Sequence, residues 1–181
     1  MGLKITYFVH GTTTDNEKGL SSGWSDVGLS KLGKEQSVKL KDKLKGKKFD
    51  AVFCSDLKRA VQSARLIWGN TIETIKDERL RECNYGDLNG AKSEKVDALM
   101  ESAIDRPFPN GESYRDVEKR IRSFLKDLAK DYSGKRIAIV AHRAPQLALE
   151  VILKGKTWKQ AMKEDWRLKK AWRPGWDYEI K

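Results

Sequence analysis

The stretch Lys4-Ile5-Thr6-Tyr7-Phe8-Val9-His10-Gly11-Thr12 decides the fold. Its β-branched and aromatic residues predict a buried strand, and His10-Gly11-Thr12 the loop that ends it. The pattern recurs at Arg136-Ile137-Ala138-Ile139-Val140-Ala141, a strand followed at once by His142. A third run, Phe49-Asp50-Ala51-Val52-Phe53-Cys54, ends at Ser55-Asp56, and Thr71 to Ile75 offers a short further strand. Helical spacing fills the intervals. Leu32, Leu40 and Leu44 mark one helix from Ser30 to about Lys45, and Leu57, Ala60, Val61, Ala64, Ile67 and Trp68 form the face of the next. Val117, Ile121, Phe124, Leu125 and Leu128 mark another, followed by Ala144, Leu147, Ala148, Val151 and Ile152. Strands alternating with helices predict an α/β three-layer sandwich: a mostly parallel central sheet with helices on both faces.

The chain has 181 residues, which suits a single domain over 1–181. Residues 79 to 90 read as a loop, and the weakly periodic 84–115 as a small lid over a site. Thr157-Trp158-Lys159-Gln160 is a capping box for a further helix, and Pro174-Gly175 turns the chain into a short aromatic tail, Trp176 to Ile180. Trp158, Trp166 and Trp172 are expected to pack on the body. No run of about 20 apolar residues exists, so no membrane span is expected. Cys54 and Cys83 have neither metal-ligand spacing nor a disulfide-rich setting, which points to a reducing cytoplasm. The net charge of +11 favours an anionic partner without choosing one. Lys39, Lys41, Lys43, Lys45, Lys47 and Lys48 lie along a solvated helix and its exit, so nucleic acid is not expected. The oligomeric state is left open.

The chain has two histidines, and both directly follow an apolar strand. In open α/β sheets the ligand crevice lies beyond the carboxyl ends of the strands. His10 and His142 would meet there, with Arg59 one turn into the helix after Cys54. A single strand-end histidine is readily explained by a bond to a backbone carbonyl. Two at equivalent places, with an arginine, suit an anion: a neutral imidazole can attack phosphorus while cationic groups hold the oxygens.

Five segments strengthen this reading. His10-Gly11-Thr12-Thr13-Thr14-Asp15-Asn16 is similar, after its first position, to the R-H-G-x-T-x-x-N loop of the histidine phosphatase superfamily, phosphoglycerate-mutase-like branch. Gly23 to Gln36 resembles that family's G-x-x-D-x-x-L-[ST]-x-x-G-x-x-Q, and Ser55 to Ala64 its S-D-L-x-R-A-x-Q-T-A. Leu80-Arg81-Glu82 with Gly86 and Gly90, and Pro109-Asn110-Gly111-Glu112-Ser113, resemble two more of its segments. The resemblance runs from Ile5 to about Ile152. It implies that His10 becomes phosphohistidine, that Arg59 binds the phosphoryl group, and that His142 stabilises the developing charge. Glu82 would protonate the leaving oxygen and then activate water. Gly11, Asn16 and Gly23 would contact phosphate or substrate. The substrate would be a small phosphorylated metabolite, and no metal or cofactor is required.

The chain departs from that pattern in three places. Val9 stands where the family has an arginine, Arg143 where glycine is common, and Asn89 where an acidic residue is common. One expectation is that Arg143 supplies the guanidinium missing at Val9; the plainer one is that it points to solvent. Hydrolysis through phosphohistidine is the leading expectation. A mutase-type phosphotransferase is the first alternative, disfavoured because the family's mutases tend to carry extra chain that closes over the intermediate. A phosphate-ligand binder weakened by Val9 is the second.

Overall fold

The computed structural model describes residues 2–169 and 175–180. In chain order the elements are β1 (Leu3–Val9), α1 (Thr14–Glu17), β2 (Leu20–Ser21), α2 (Lys31–Lys43), β3 (Ala51–Cys54), α3 (Lys58–Trp68) and β4 (Thr74–Lys76). There follow β5 (Ala91–Lys92), α4 (Ser93–Leu99), α5 (Tyr114–Asp131), β6 (Arg136–Ala141), α6 (Arg143–Lys154), α7 (Trp158–Lys163) and β7 (Trp176–Ile180). The central sheet runs β4-β3-β6-β1-β7, parallel except for β7, which pairs antiparallel with β1.

Alternation along the strands builds the layers. Leu3, Ile5, Tyr7, Ala51, Phe53, Ile137 and Ile139 join one buried cluster with the apolar faces of α5, α6 and α7. Phe8, Val52, Cys54, Ala138 and Val140 point the other way, onto Leu40 and Leu44 of the α2 segment and Ala64 and Ile67 of α3. Side chains that alternate in this way bury both faces, which is why these strands read as continuous apolar runs.

The C-terminal tail differs from expectation. Trp176–Ile180 is an edge strand in register with β1, with Trp176 and Tyr178 buried and Asp177 and Glu179 exposed. The turn expected at Pro174 and the packing expected of Trp172 lie outside the described residues. Trp158 is buried with its indole N–H donating to Glu118, and Trp166 packs against Trp176.

The 84–115 segment is no detached flap. Val96, Met100, Ala103, Ile104 and Phe108 sit in the same buried cluster as α5 and β1, and β5 is tied to β2. The loop read at 79–90 contains two short 3₁₀ turns, Glu78–Leu80 and Gly86–Leu88. No helix among the described residues is long and apolar enough to cross a membrane.

Candidate active site

Parallel β1 and β6 run side by side, Val9 level with Ala141, so His10 and His142 leave the sheet together. Their ring centroids lie 5.0 Å apart. His10 Nδ1 donates to the Gly11 carbonyl at 2.7 Å. A carbonyl only accepts, so Nδ1 carries the proton and Nε2 holds the free lone pair. Burial and the nearby Arg59 guanidinium lower the His10 pKa to about 3, which keeps the imidazole neutral. Gly11 is held in turn: its N–H donates to Ser63 Oγ at 3.0 Å, and a Cβ there would lie 2.3 Å from the Gly33 carbonyl. The first turn of α2, capped by Ser30, presses against this loop, and only glycine fits on both sides.

His142 is fully buried and serves as the N-cap residue of α6. The Tyr7 hydroxyl donates to its carbonyl at 2.6 Å and accepts from its N–H at 2.9 Å. Its two ring nitrogens have no hydrogen-bond partner among the described residues. Buried polar atoms of this kind call for an explanation, and ligand oxygens supply one. Burial, Arg59 and His10 push the His142 pKa well below its ordinary value. The free protein therefore holds both imidazoles neutral; protonation of His142 must await an anion.

Arg59 is buried on the first turn of α3, with Nη2 donating to the Gly23 carbonyl at 2.6 Å and Nη1 to Ser25 at 2.9 Å. Two carbonyls orient the guanidinium and leave three of its five donors. Gly23 adopts φ of 52°, the left-handed region that favours glycine, and its carbonyl meets Arg59. Asn16 lines the cavity, with its side-chain oxygen accepting from the Thr13 N–H at 3.1 Å.

Glu82 is buried at the entrance to α6. Its Oε1 accepts from the Ala144 and Cys83 N–H groups, each at 2.9 Å, and its Oε2 from the Arg143 N–H at 3.2 Å. Two of the first N–H groups of α6 are thus satisfied by a side chain far away in sequence. Sequence reading missed the parts that fix it. Trp24 donates its indole N–H to the Glu82 carbonyl at 2.8 Å, beneath Arg81, which pairs with both oxygens of Asp56. Arg120 clamps the backbone of residues 79–82 while pairing with Glu112.

Arg143 does not point to solvent. It is buried, and its guanidinium pairs with Asp165 and, at 2.8 Å, with Asp97. His10, Glu82, Asn16 and Arg143 share a cavity of about 410 Å³ with Val9, Thr12, Gln36, Ser93, Trp166 and Arg167. Gln36, the last residue of the second motif, accepts from the Thr12 N–H and hydroxyl and so shapes the wall.

A neutral imidazole with a free Nε2, a second imidazole with unpartnered nitrogens, a buried arginine and a carboxyl gather at one end of the sheet of a three-layer α/β frame, a set whose chemistry suits an anionic ligand. The model of the histidine phosphatase superfamily, branch 1, matches residues 7–168, and the chain belongs to that family. A protein named 2,3-bisphosphoglycerate-dependent phosphoglycerate mutase from Methylorubrum extorquens is 34% identical over 166 residues, covering 83% of this chain and 78% of its own. The phosphoglycerate mutase of Schizosaccharomyces pombe is 33% identical, covering 86% of this chain and 82% of its own. The α-ribazole phosphatase of Shigella flexneri superposes with a TM-score of 0.77 at 28% identity, covering 88% of this chain and 84% of that one. A mycobacterial glucosyl-3-phosphoglycerate phosphatase, solved with VO3, gives a TM-score of 0.77 at 26% identity, covering 88% and 86%. The match covers 78% and 82% of these two mutases, so length alone does not decide between a phosphatase and a mutase.

Proposed function

We propose that the protein is a phosphomonoester hydrolase acting through phosphohistidine on a small phosphorylated metabolite, with no metal needed. The observation that carries this reading is the His10 ring: neutral, its tautomer set by Gly11, and 5.0 Å from His142. His10 Nε2 attacks phosphorus as the bond to the leaving oxygen breaks. Glu82 gives that oxygen a proton, from the Oε2 side, where only the longer Arg143 contact competes. Arg59 and His142 hold the phosphoryl oxygens; His142 does so with the N–H of its neutral ring, and any second proton that the dianion draws onto it comes from solvent and returns there when phosphate leaves. In the second half Glu82 takes a proton from water, the water oxygen bonds to phosphorus, and the phosphorus–nitrogen bond breaks. His10 returns to its neutral form and inorganic phosphate leaves.

Phosphate release from a panel of phosphomonoesters in EDTA, by wild type and His10→Ala, tests the proposal. Release lost in the variant supports it. The mutase-named relatives favour a second reading, phosphoryl transfer between positions of a phosphoglycerate. Isomerisation of a phosphoglycerate that needs a bisphosphate primer and releases little phosphate would establish that reading instead.

A further inference from the structure

The charges around the cavity do not balance for a dianion. Asp97 and Asp165 pair with Arg143, and Glu82, Asp26 and Asp15 lie close enough to Arg59 to act on its charge. Arg143 is already paired with buried Asp165 and exposed Asp97, so its charge is matched before any ligand arrives. The two histidines are neutral and bring no charge. The leading N–H groups of α6 are taken by Glu82, and the Lys58 N–H at the start of α3 is taken by Asp26. A phosphate dianion placed against His10 therefore needs a further cation.

We infer that Arg167 supplies it: its guanidinium clamps the transferred phosphoryl group at His10, doing from the C-terminal segment what an arginine at position 9 would do. Arg167 lines the same cavity as Val9 and His10. It makes no ion pair with a described residue, unlike Arg143. Its place is fixed from behind. Buried Asp165 accepts from the Arg167 N–H at 3.0 Å with one oxygen and from the Arg143 guanidinium with the other. The pair that takes Arg143 out of service thus anchors the turn that brings Arg167 to the cavity. The positive charge of Arg167 is felt at the His10 ring, where it helps keep the imidazole neutral. Planar guanidinium donors suit a phosphoryl group better than a lysine would.

The inference rests on His10 as the phosphoryl site, but inorganic phosphate tests it without any turnover. Titration calorimetry with inorganic phosphate would compare wild type, Arg167→Ala, Arg167→Lys and, as a control for net charge, Arg65→Ala on the exposed side of α3. Arg167→Ala should bind about 10- to 100-fold more weakly, Arg167→Lys between the two, and Arg65→Ala as wild type. Adding Val9→Arg to Arg167→Ala should restore binding. The His10 ring of Arg167→Ala, followed by NMR, should titrate at higher pH than in wild type. Wild-type phosphate affinity in Arg167→Ala would overturn the inference, even if substrate turnover fell, because Arg167 would then touch only the leaving part. Arg167-dependent phosphate binding in a protein that hydrolyses no ester would sink the hydrolase reading and leave this one standing.

Discussion

The Glu82 carboxylate accepts a 2.9 Å hydrogen bond from the Ala144 N–H, which ties the candidate proton donor to the helix that begins right after His142. Acid and second histidine therefore keep one spacing, whatever the loop around residue 82 does. Glu82→Gln keeps the shape but turns an N–H₂ toward backbone donors, and it removes the proton. The expected rate loss is about 10²–10⁴-fold on alkyl phosphates, whose leaving oxygen needs that proton. The loss should be far smaller on p-nitrophenyl phosphate. Equal losses on both esters would remove Glu82 from the role of acid.

Arg120 is the hidden support of that carboxyl. Its guanidinium meets both oxygens of Glu112 and the carbonyls of Arg79, Arg81 and Glu82, with distances from 2.6 to 3.0 Å. Arg120→Met would strand those acceptors in a mostly buried setting. A loss of about 3–5 kcal/mol is expected from chemical denaturation. Arg120→Lys keeps the charge without the fork, so kcat should fall more than the melting temperature implies. A lysine variant with wild-type kcat would show that the clamp does not position Glu82.

Acid should destabilise the fold through its histidines. Both have native pKa values below the unfolded value of about 6.5, His10 at about 3. Above pH 6.5 neither state binds the proton, and the histidines contribute nothing. Below it the unfolded chain takes up protons that the native state refuses, so stability falls as pH drops toward 3. The slope is about 1.4 kcal/mol per pH unit for each histidine. Urea unfolding between pH 4 and 6 should show His10→Gln with a slope shallower by that amount. The same depression moves the acid limb of kcat/KM: once the second ionisation of the substrate, near pH 6, is corrected for, no fall should appear above about pH 4. A limb at pH 6–7 that survives the correction would contradict a neutral His10.

The frame of this site was legible because it is local. Apolar runs gave β1, β3 and β6, and the histidines that follow two of them had to meet once the strands lay parallel. What was not legible is whatever depends on distant charge pairing. The partners of Arg143, Asp165 and Asp97, lie 22 and 46 residues away, and nothing in the local sequence marks them. Tyr7 looked like one more strand aromatic, although its hydroxyl holds both backbone groups of His142. β7 did carry a signal, the alternation of Trp176, Asp177, Tyr178 and Glu179, but a run of five residues after a turn is too short to set a strand apart from a tail.

Asn89 shows how a departure from a family pattern becomes structure. Its side-chain oxygen accepts from the Trp24 N–H at 3.2 Å and the Tyr85 N–H at 3.0 Å, and its amide donates to Asn84 Oδ1 at 2.8 Å. An aspartate could keep the first two bonds but would set a carboxylate oxygen against Asn84 Oδ1, which also accepts from the Gly86 N–H. Asn89→Asp should therefore cost about 1–3 kcal/mol. The displaced Trp24 loop carries the two carbonyls that orient Arg59, so KM for phosphomonoesters should rise as well. A second change, Asn84→Ser, removes the opposed oxygen and should recover part of both losses. If the single variant is as stable as wild type, Asn84 has rotated to donate, and Asn89 does not account for the local preference for an amide.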